Sequence, residues 1–134
     1  MIVTDDRVAR FVADTCGVGF CPPWTCMGVE RAGKVTAGVV FNVFEGEDVH
    51  VSVAGHGWTR GFMEAVGAYV YDTLRCERMT VVTASEDVAG LALRFGGKRE
   101  GVLRSHFGRG QDAIIVGILR DEWRFARLMQ NTRG

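Results

Sequence analysis

Alternating apolar and polar residues predict several β-strands in the first half of the chain. The run that begins at Asp48 shows this period of two, and Trp24–Arg31 and Val35–Glu45 are predicted as strands before it. Such alternation is typical of strands that place one face on a core. Glycine-containing turns separate the three stretches, so they should form antiparallel neighbours. Val35–Glu45 carries apolar residues on both faces, which predicts a central strand covered on both sides, out to Phe44.

Apolar residues at helical spacing predict three helices. Asp5 or Asp6 can cap a first helix, which should end near Gly17. A second helix should begin after Thr59, and a third after Ser85. In the second helix, the apolar residues on either side of its cap (Trp58 and Met63) are spaced as a hydrophobic staple.

The second half of the chain mixes strands with these helices. Arg78–Ala84 is rich in β-branched residues and follows a helix, so it can lie parallel to the preceding strand through a right-handed crossover. Lys98–Phe107 and Asp112–Leu119 should form a hairpin. Part of the tail should dock on the domain through its apolar residues Trp123, Phe125, Leu128 and Met129.

Composition and charge narrow the range of functions. The 134 residues fit a single domain spanning 1–134. Sixteen basic and sixteen acidic side chains cancel, so a nucleic-acid partner is not expected. No apolar run approaches the length of a membrane span, and the opening residues do not form a secretory signal. A cytoplasmic protein without a membrane partner is therefore predicted.

The four cysteines are not arranged for a metal. None forms a CxxC pair, the spacing typical of structural zinc sites. Without an export signal, disulfides are not expected either. We predict reduced thiols, several of them buried, and no metal site; the residues are Cys16, Cys21, Cys26 and Cys76.

The segment between the strand beginning at Asp48 and the second helix suggests anion binding. It contains Gly55, Gly57 and Gly61, with Arg60 beside the last of them. A strand that turns through glycines into a helix brings unpaired N–H groups and the positive end of the helix dipole together. The turn is therefore a candidate phosphate site.

The order of elements, taken with three short stretches, resembles the GNAT superfamily of acyl-CoA-dependent N-acetyltransferases. Trp58–Phe62 resembles the pyrophosphate turn of the branch that includes ribosomal-protein N-terminal acetyltransferases. Gly96–Arg104 is similar to that branch's Gly-Phe-x-x-Glu-Gly-x-x-Arg signature, and Ile118–Trp123 to the end of its last strand. A short phage-type member also fits this resemblance. It implies an α/β (α+β) fold with a mixed sheet of about six to seven strands, flanked by helices, with a parallel pair at the cofactor cleft.

The resemblance also implies a cofactor and its contacts. The cofactor would be acetyl-CoA, and the acceptor a primary amine of a small molecule or protein. The backbone of Val51, Ser52 and Val53 would pair with the pantetheine arm. Ser85 would cap a helix beside the arm, and Leu91 and Phe95 would flank its thiol end or the adenine. The diphosphate would be held by N–H groups of His56, Gly57, Trp58, Thr59, Arg60, Gly61, Phe62 and Met63.

Three positions depart from the family pattern. Met63 stands where the family has Gly or Ala, and Gly97 replaces a customary Phe. Ala92 occupies the position where many members carry a Tyr that protonates the departing thiolate. These departures leave open a catalytically weak or inactive binding or scaffold module. A third alternative is an acyl-CoA-dependent enzyme that modifies a nucleobase.

The sequence also leaves the identity of the general base undecided among several residues. His50 is the first candidate, because it lies on the polar face of its strand and histidine is a common general base. Glu45, Asp48 and His56 are alternatives. Glu100 and Arg104 are predicted to form a structural pair instead. An exposed final strand could also pair across a homodimer.

Overall fold

The computed structural model describes residues 1–126, which form one seven-stranded mixed sheet with helices on both faces. The strands lie in the order β1-β2-β3-β4-β5-β7-β6. Along the chain the elements are β1 (Ile2–Val3), α1 (Asp6–Cys16), β2 (Trp24–Arg31), β3 (Lys34–Asn42), β4 (Asp48–Gly55), α2 (Arg60–Gly67), β5 (Arg78–Thr83), α3 (Glu86–Arg94), β6 (Lys98–Leu103) and β7 (Ala113–Leu119).

The strand directions confirm the predicted topology. Strands β2, β3 and β4 are successive antiparallel neighbours, whereas β4 and β5 run parallel. The chain crosses between these two strands through α2, which continues as the π-helical segment Ala68–Thr73. Strand β1 was not predicted, because two residues are too few to show an alternation.

Each helix begins where its cap residue predicts. Asp5 caps α1 by accepting the Arg7 N–H at 3.1 Å, and Gly17 ends it in the left-handed conformation. Thr59 accepts the Phe62 N–H at 3.1 Å at the start of α2. These side chains satisfy donors that have no acceptor within their own helix.

The two faces of the sheet carry separate cores. Helices α2 and α3 cover the main core, and α1 covers a smaller one. Helix α1 lies close to the sheet because β2 and β3 present Gly28 and Gly38 beneath it. A Cβ atom on Gly28 would lie 2.8 Å from a Val8 methyl group, so a larger residue would push the helix outward.

Two expectations about the strands are wrong. Strand β3 ends at Asn42, and Val43 and Phe44 are 48% and 52% exposed, so its far end is not covered on both sides. Val43 has a φ of +48°, which turns the chain out of the sheet there. Strand β7, the last in sequence, lies between β5 and β6, so it offers no free edge to a partner.

The predicted pair between Glu100 and Arg104 is also wrong, since Glu100 bonds Arg78 with N–O distances of 2.5 and 3.3 Å. These two residues lie on strands that flank β7. Gly117 of β7 stands between them, and any side chain there would overlap both partners. The missing side chain therefore opens the space that the ion pair occupies.

The segment after β7 docks as predicted. Trp123 and Phe125 are 3% and 7% exposed and pack with Phe95 and Tyr71 in one aromatic cluster. Leu128 and Met129, the other residues predicted to dock, lie outside the described residues.

Candidate functional site

The parallel strands β4 and β5 separate before β4 ends. Their last paired residues are Val51 and Val81, whereas β4 continues beside β3 as far as Gly55. The His56 N–H donates to Thr36 of β3 at 3.0 Å. Backbone groups of alternate residues point to opposite sides of a strand, so those of Val53 face β5. The Val53 N–H thus points into the gap between the strands without a strand partner.

A pocket of about 410 Å³ opens at this gap. Both strands contribute to it, together with the end of α1, the start of α3 and the β6–β7 connection. The titratable side chains among its lining residues are Cys16 and Asp87. Burial against the pocket wall raises the pKa of the Cys16 thiol, whose Sγ lies 3.8 Å from the Val53 carbonyl oxygen. The remaining walls come chiefly from Ser52, Ala54, Val82, Thr83, Ser85, Val88, Phe107 and Gln111.

The N-terminus of α2 follows β4 after four residues, and some of the N–H groups predicted to hold a phosphate there already have acceptors within the protein. The His56 N–H is bonded to Thr36, the Phe62 N–H to the Thr59 side chain and the Met63 N–H to the Thr59 carbonyl. The N–H groups of Arg60 and Gly61 belong to the first turn and have no acceptor within the helix. The predicted donor set therefore narrows to the stretch from Gly57 to Gly61.

Space for a ligand exists directly over this turn. A Cβ atom built on Gly61 would meet no atom within 4 Å. A second pocket, of about 350 Å³, lies beside it and is lined by Trp58, Thr59, Arg60, Met63, Phe95, Arg124 and Phe125. Arg124 and Phe125 were not predicted from the sequence, because they lie 60 residues or more from the turn and follow no recognisable pattern.

Met63 does not close this corner. It is half-buried, packs against the main core and lines the second pocket as one wall among several. Trp58 packs against the same core and stacks on Phe62 with 5.5 Å between ring centroids, as a residue that fixes the helix entry should. Leu91 and the buried Val51 side chain face an apolar cavity of about 30 Å³ beneath, which has room for about one water molecule.

The candidate base lies next to the first pocket. His50 is on the same face of β4 as Ser52, which lines the pocket, and its side chain is 34% exposed. Its Nε2 lies 3.9 Å from a carboxylate oxygen of Asp48. His50 itself is not among the residues that line the pocket, so contact with a ligand there would need a bridging water.

Neither tyrosine of the chain replaces the one expected at Ala92. The Tyr71 hydroxyl donates to the Ile118 carbonyl at 2.7 Å, and burial raises its pKa. The Tyr69 hydroxyl lies 2.8 Å from the Thr25 hydroxyl. Both hydroxyls are thus engaged away from the gap between β4 and β5. Ala92 itself is 7% exposed and belongs to the main core.

Comparison with solved structures identifies the architecture. The chain superimposes with a TM-score of 0.72 on a mutant form of the spermidine/spermine N-acetyltransferase SpeG from Vibrio cholerae, at 16% identity over 95% of this chain and 98% of that one. A GCN5-related N-acetyltransferase from Brucella melitensis gives a TM-score of 0.61 at 23% identity, over 88% of this chain and 60% of that one. The fold is that of the GNAT acetyltransferases. At these identities the likeness establishes the fold alone.

Other comparisons add no finer assignment. No family model matches the sequence, and no curated protein matches it either. The resemblance to the ribosomal-protein branch therefore stays a prediction. None of the helices within residues 1–126 has the length and apolar character needed to cross a bilayer. In the same residues no three His, Cys, Asp or Glu side chains come together as metal ligands would.

Proposed function

We propose that this protein is an acetyl-CoA-dependent N-acetyltransferase acting on a primary amine. The observation that carries the proposal is the separation of β4 from β5 beyond Val51, with the open N-terminus of α2 four residues beyond the end of β4. The gap leaves strand-like backbone free to pair with an extended amide chain. The α2 turn supplies N–H groups and a cation, Arg60, for a diphosphate. Acyl-CoA contains both groups, and its use also supports the predicted cytoplasmic location.

The residues at the gap suit transfer of an acyl group. Acetyl-CoA, when bound, supplies an acetyl group already activated as a thioester. The Val53 N–H, which has no strand partner, can donate a hydrogen bond to a carbonyl oxygen in the gap. Holding two reactants together can lower a barrier by about 7–11 kcal/mol, so positioning contributes more than proton removal. A site without the expected tyrosine can therefore still catalyse transfer.

The protonation state of the acceptor amine determines how much a general base can contribute to catalysis. An amine with a pKa near 10.4 is neutral in roughly one molecule in 2,500 at pH 7, whereas an α-amine with a pKa near 8 is neutral in about one in ten. His50, acting through water, would assist the more basic acceptors most. Asp87 is the acidic side chain that lines the pocket, and it can attract the protonated form of such an amine.

Calorimetry with acetyl-CoA tests the proposal first. We expect saturable binding of acetyl-CoA by folded protein, and the absence of heat at millimolar acetyl-CoA would refute the proposal. Release of CoA thiol in the presence of a panel of amines then tests turnover. Cys21 is an exposed thiol that would react with thiol reagents, so a reaction without amine is the required blank.

A second candidate is a module that binds acyl-CoA without turnover, because Ala92 stands where the resemblance implies a tyrosine. Both tyrosine hydroxyls form hydrogen bonds away from the gap between β4 and β5, so neither can protonate a departing thiolate there. Binding of acetyl-CoA without CoA release across small amines, polyamines and peptide N-termini would favour this candidate.

A further inference from the structure

The pocket at the start of α2 contains a second arginine, Arg124, besides Arg60 of the first helical turn. Arg60 is the first residue of α2 and forms an ion pair with Glu64 at 2.9 Å. Arg124 enters the same pocket from the segment after β7. Within residues 1–126 it has no carboxylate at ion-pair distance, and its guanidinium lies 5.8 Å from the centroid of the Phe95 ring. It is the cation of this pocket whose charge is not balanced.

The chain holds Arg124 at this place firmly. Its N–H donates to the Phe95 carbonyl at 3.0 Å. Its two neighbours, Trp123 and Phe125, are 3% and 7% exposed and anchor the segment in the core on both sides. Gly96 brings the backbone at Glu122 so close that no Cβ atom would fit between them. An exposed cation between two buried aromatic anchors has a fixed backbone, so only its side chain has to be ordered when a ligand binds.

The walls around Arg124 suit a nucleotide. Phe95 is half-buried and contributes an aromatic ring to the same pocket, and aromatic rings can stack on a base. A diphosphate at this turn would be met by the free N–H groups of the helix N-terminus and by Arg60, which it would share with Glu64, so a further phosphate would need another cation. The adenosine of CoA carries one further phosphate, on its 3′ oxygen. Resting on the proposed use of acyl-CoA, we infer that Arg124 binds this 3′-phosphate and makes the protein select CoA over 3′-dephospho-CoA.

Affinities for CoA and 3′-dephospho-CoA test this inference without any measurement of turnover. The wild-type protein should bind CoA at least about tenfold more tightly, the range expected for a hydrogen bond between charged groups. In Arg124→Gln this ratio should fall to about one, while the affinity for 3′-dephospho-CoA stays within about twofold of wild type. Arg60→Gln should weaken binding of both ligands. Arg10→Gln, on α1 at the opposite face of the sheet, is the matched control and should change neither affinity.

The outcomes separate this inference from the proposed function. Failure of wild type to bind either ligand would refute the proposed function. Equal binding of both ligands by wild type, or an equal loss of both in Arg124→Gln, would overturn the inference alone. The midpoint of urea unfolding should stay near wild type in Arg124→Gln, because the replaced guanidinium is exposed. If it drops, Arg124→Lys provides the second measurement, since this variant keeps the charge and should retain the preference for CoA.

Discussion

A charge placed at Gly61 should affect folding and cofactor binding in opposite directions. Gly61 is the second residue of α2 and is exposed, and a Cβ atom there would meet no other atom within 4 Å, so a Glu side chain has open space to extend into. Replacing a glycine within a helix gains up to about 1 kcal/mol. A carboxylate in the first turn adds about 0.3–1 kcal/mol through the helix dipole. We therefore expect Gly61→Glu to raise the free energy of unfolding by about 1 kcal/mol.

The same carboxylate should repel a diphosphate at this turn. At a separation of about 6 Å, two unit charges interact with roughly 0.7 kcal/mol at the dielectric constant of water and roughly 2.8 kcal/mol at an effective value of 20. A diphosphate carries two charges, so the added repulsion is about 1.4–5.5 kcal/mol. That corresponds to a loss of affinity between about tenfold and about ten-thousandfold.

Calorimetry with acetyl-CoA and urea unfolding, both at low and at moderate salt, measure the two effects. Gly61→Gln is the matched control, because it has the size of Glu without the charge. The difference in affinity between the Glu and Gln variants should shrink as salt is added. Equal affinity of these two variants for acetyl-CoA at low salt would mean that only the bulk of the side chain matters, and would refute a diphosphate at this turn.

Three further predictions concern packing, catalysis and pH. Gly67→Ala should lower the free energy of unfolding by about 1–3 kcal/mol, because its methyl group would overlap the buried Trp123 ring. Gly90→Ala, whose methyl group meets no atom within 4 Å, should raise the free energy of unfolding by about 0.5–1 kcal/mol. Urea denaturation measures both variants, and equal shifts of the two would contradict this prediction. If His50 is the general base, His50→Gln should lower kcat at pH 7 by about 10²-fold or more and leave the affinity for acetyl-CoA within about twofold of wild type. A pH–rate profile equal to that of wild type would exclude His50 as the general base. Hydrogen bonds from Lys98 and the Leu119 N–H lower the pKa of Glu122 in the folded protein. The stability that ionised Glu122 contributes is therefore complete above its unfolded pKa of about 4.3 and is lost as the pH falls through the lower folded pKa. Glu122→Gln should lose less stability than wild type between about pH 5 and pH 3, and parallel acid-unfolding curves of the two proteins would contradict this prediction.

Local signals in the sequence were enough to predict the elements and much of their order. Asp5, Thr59 and Ser85 each cap the helix that they were predicted to cap. The parallel pairing of β4 and β5 was predicted from a helix lying between two strands, because a crossover of this kind has a fixed hand. These features depend on neighbouring residues, which a single sequence displays directly.

Features that depend on distant residues were not predicted. Arg78 and Glu100 pair across β7 only because Gly117 leaves room for them, and no spacing in the sequence relates these three positions. The pocket beside α2 includes Arg124 and Phe125 for a similar reason, since the segment after β7 returns to the end of α3. Which N–H groups of the α2 turn remain free also depended on the contact between His56 and Thr36.

The segment that follows β7 and returns to the end of α3 connects the fold to the proposed binding of CoA. Trp123 packs against Gly67 of α2 and against Phe95 at the end of α3, so one buried ring spaces the two helices that flank the second pocket. Arg124 follows it directly and lines that pocket, so a shift of Trp123 should shift Arg124 as well. A substitution at Gly67 should therefore weaken binding of CoA as well as folding. The loss should fall more on CoA than on 3′-dephospho-CoA, because Arg124 would move while the first turn of α2 would not.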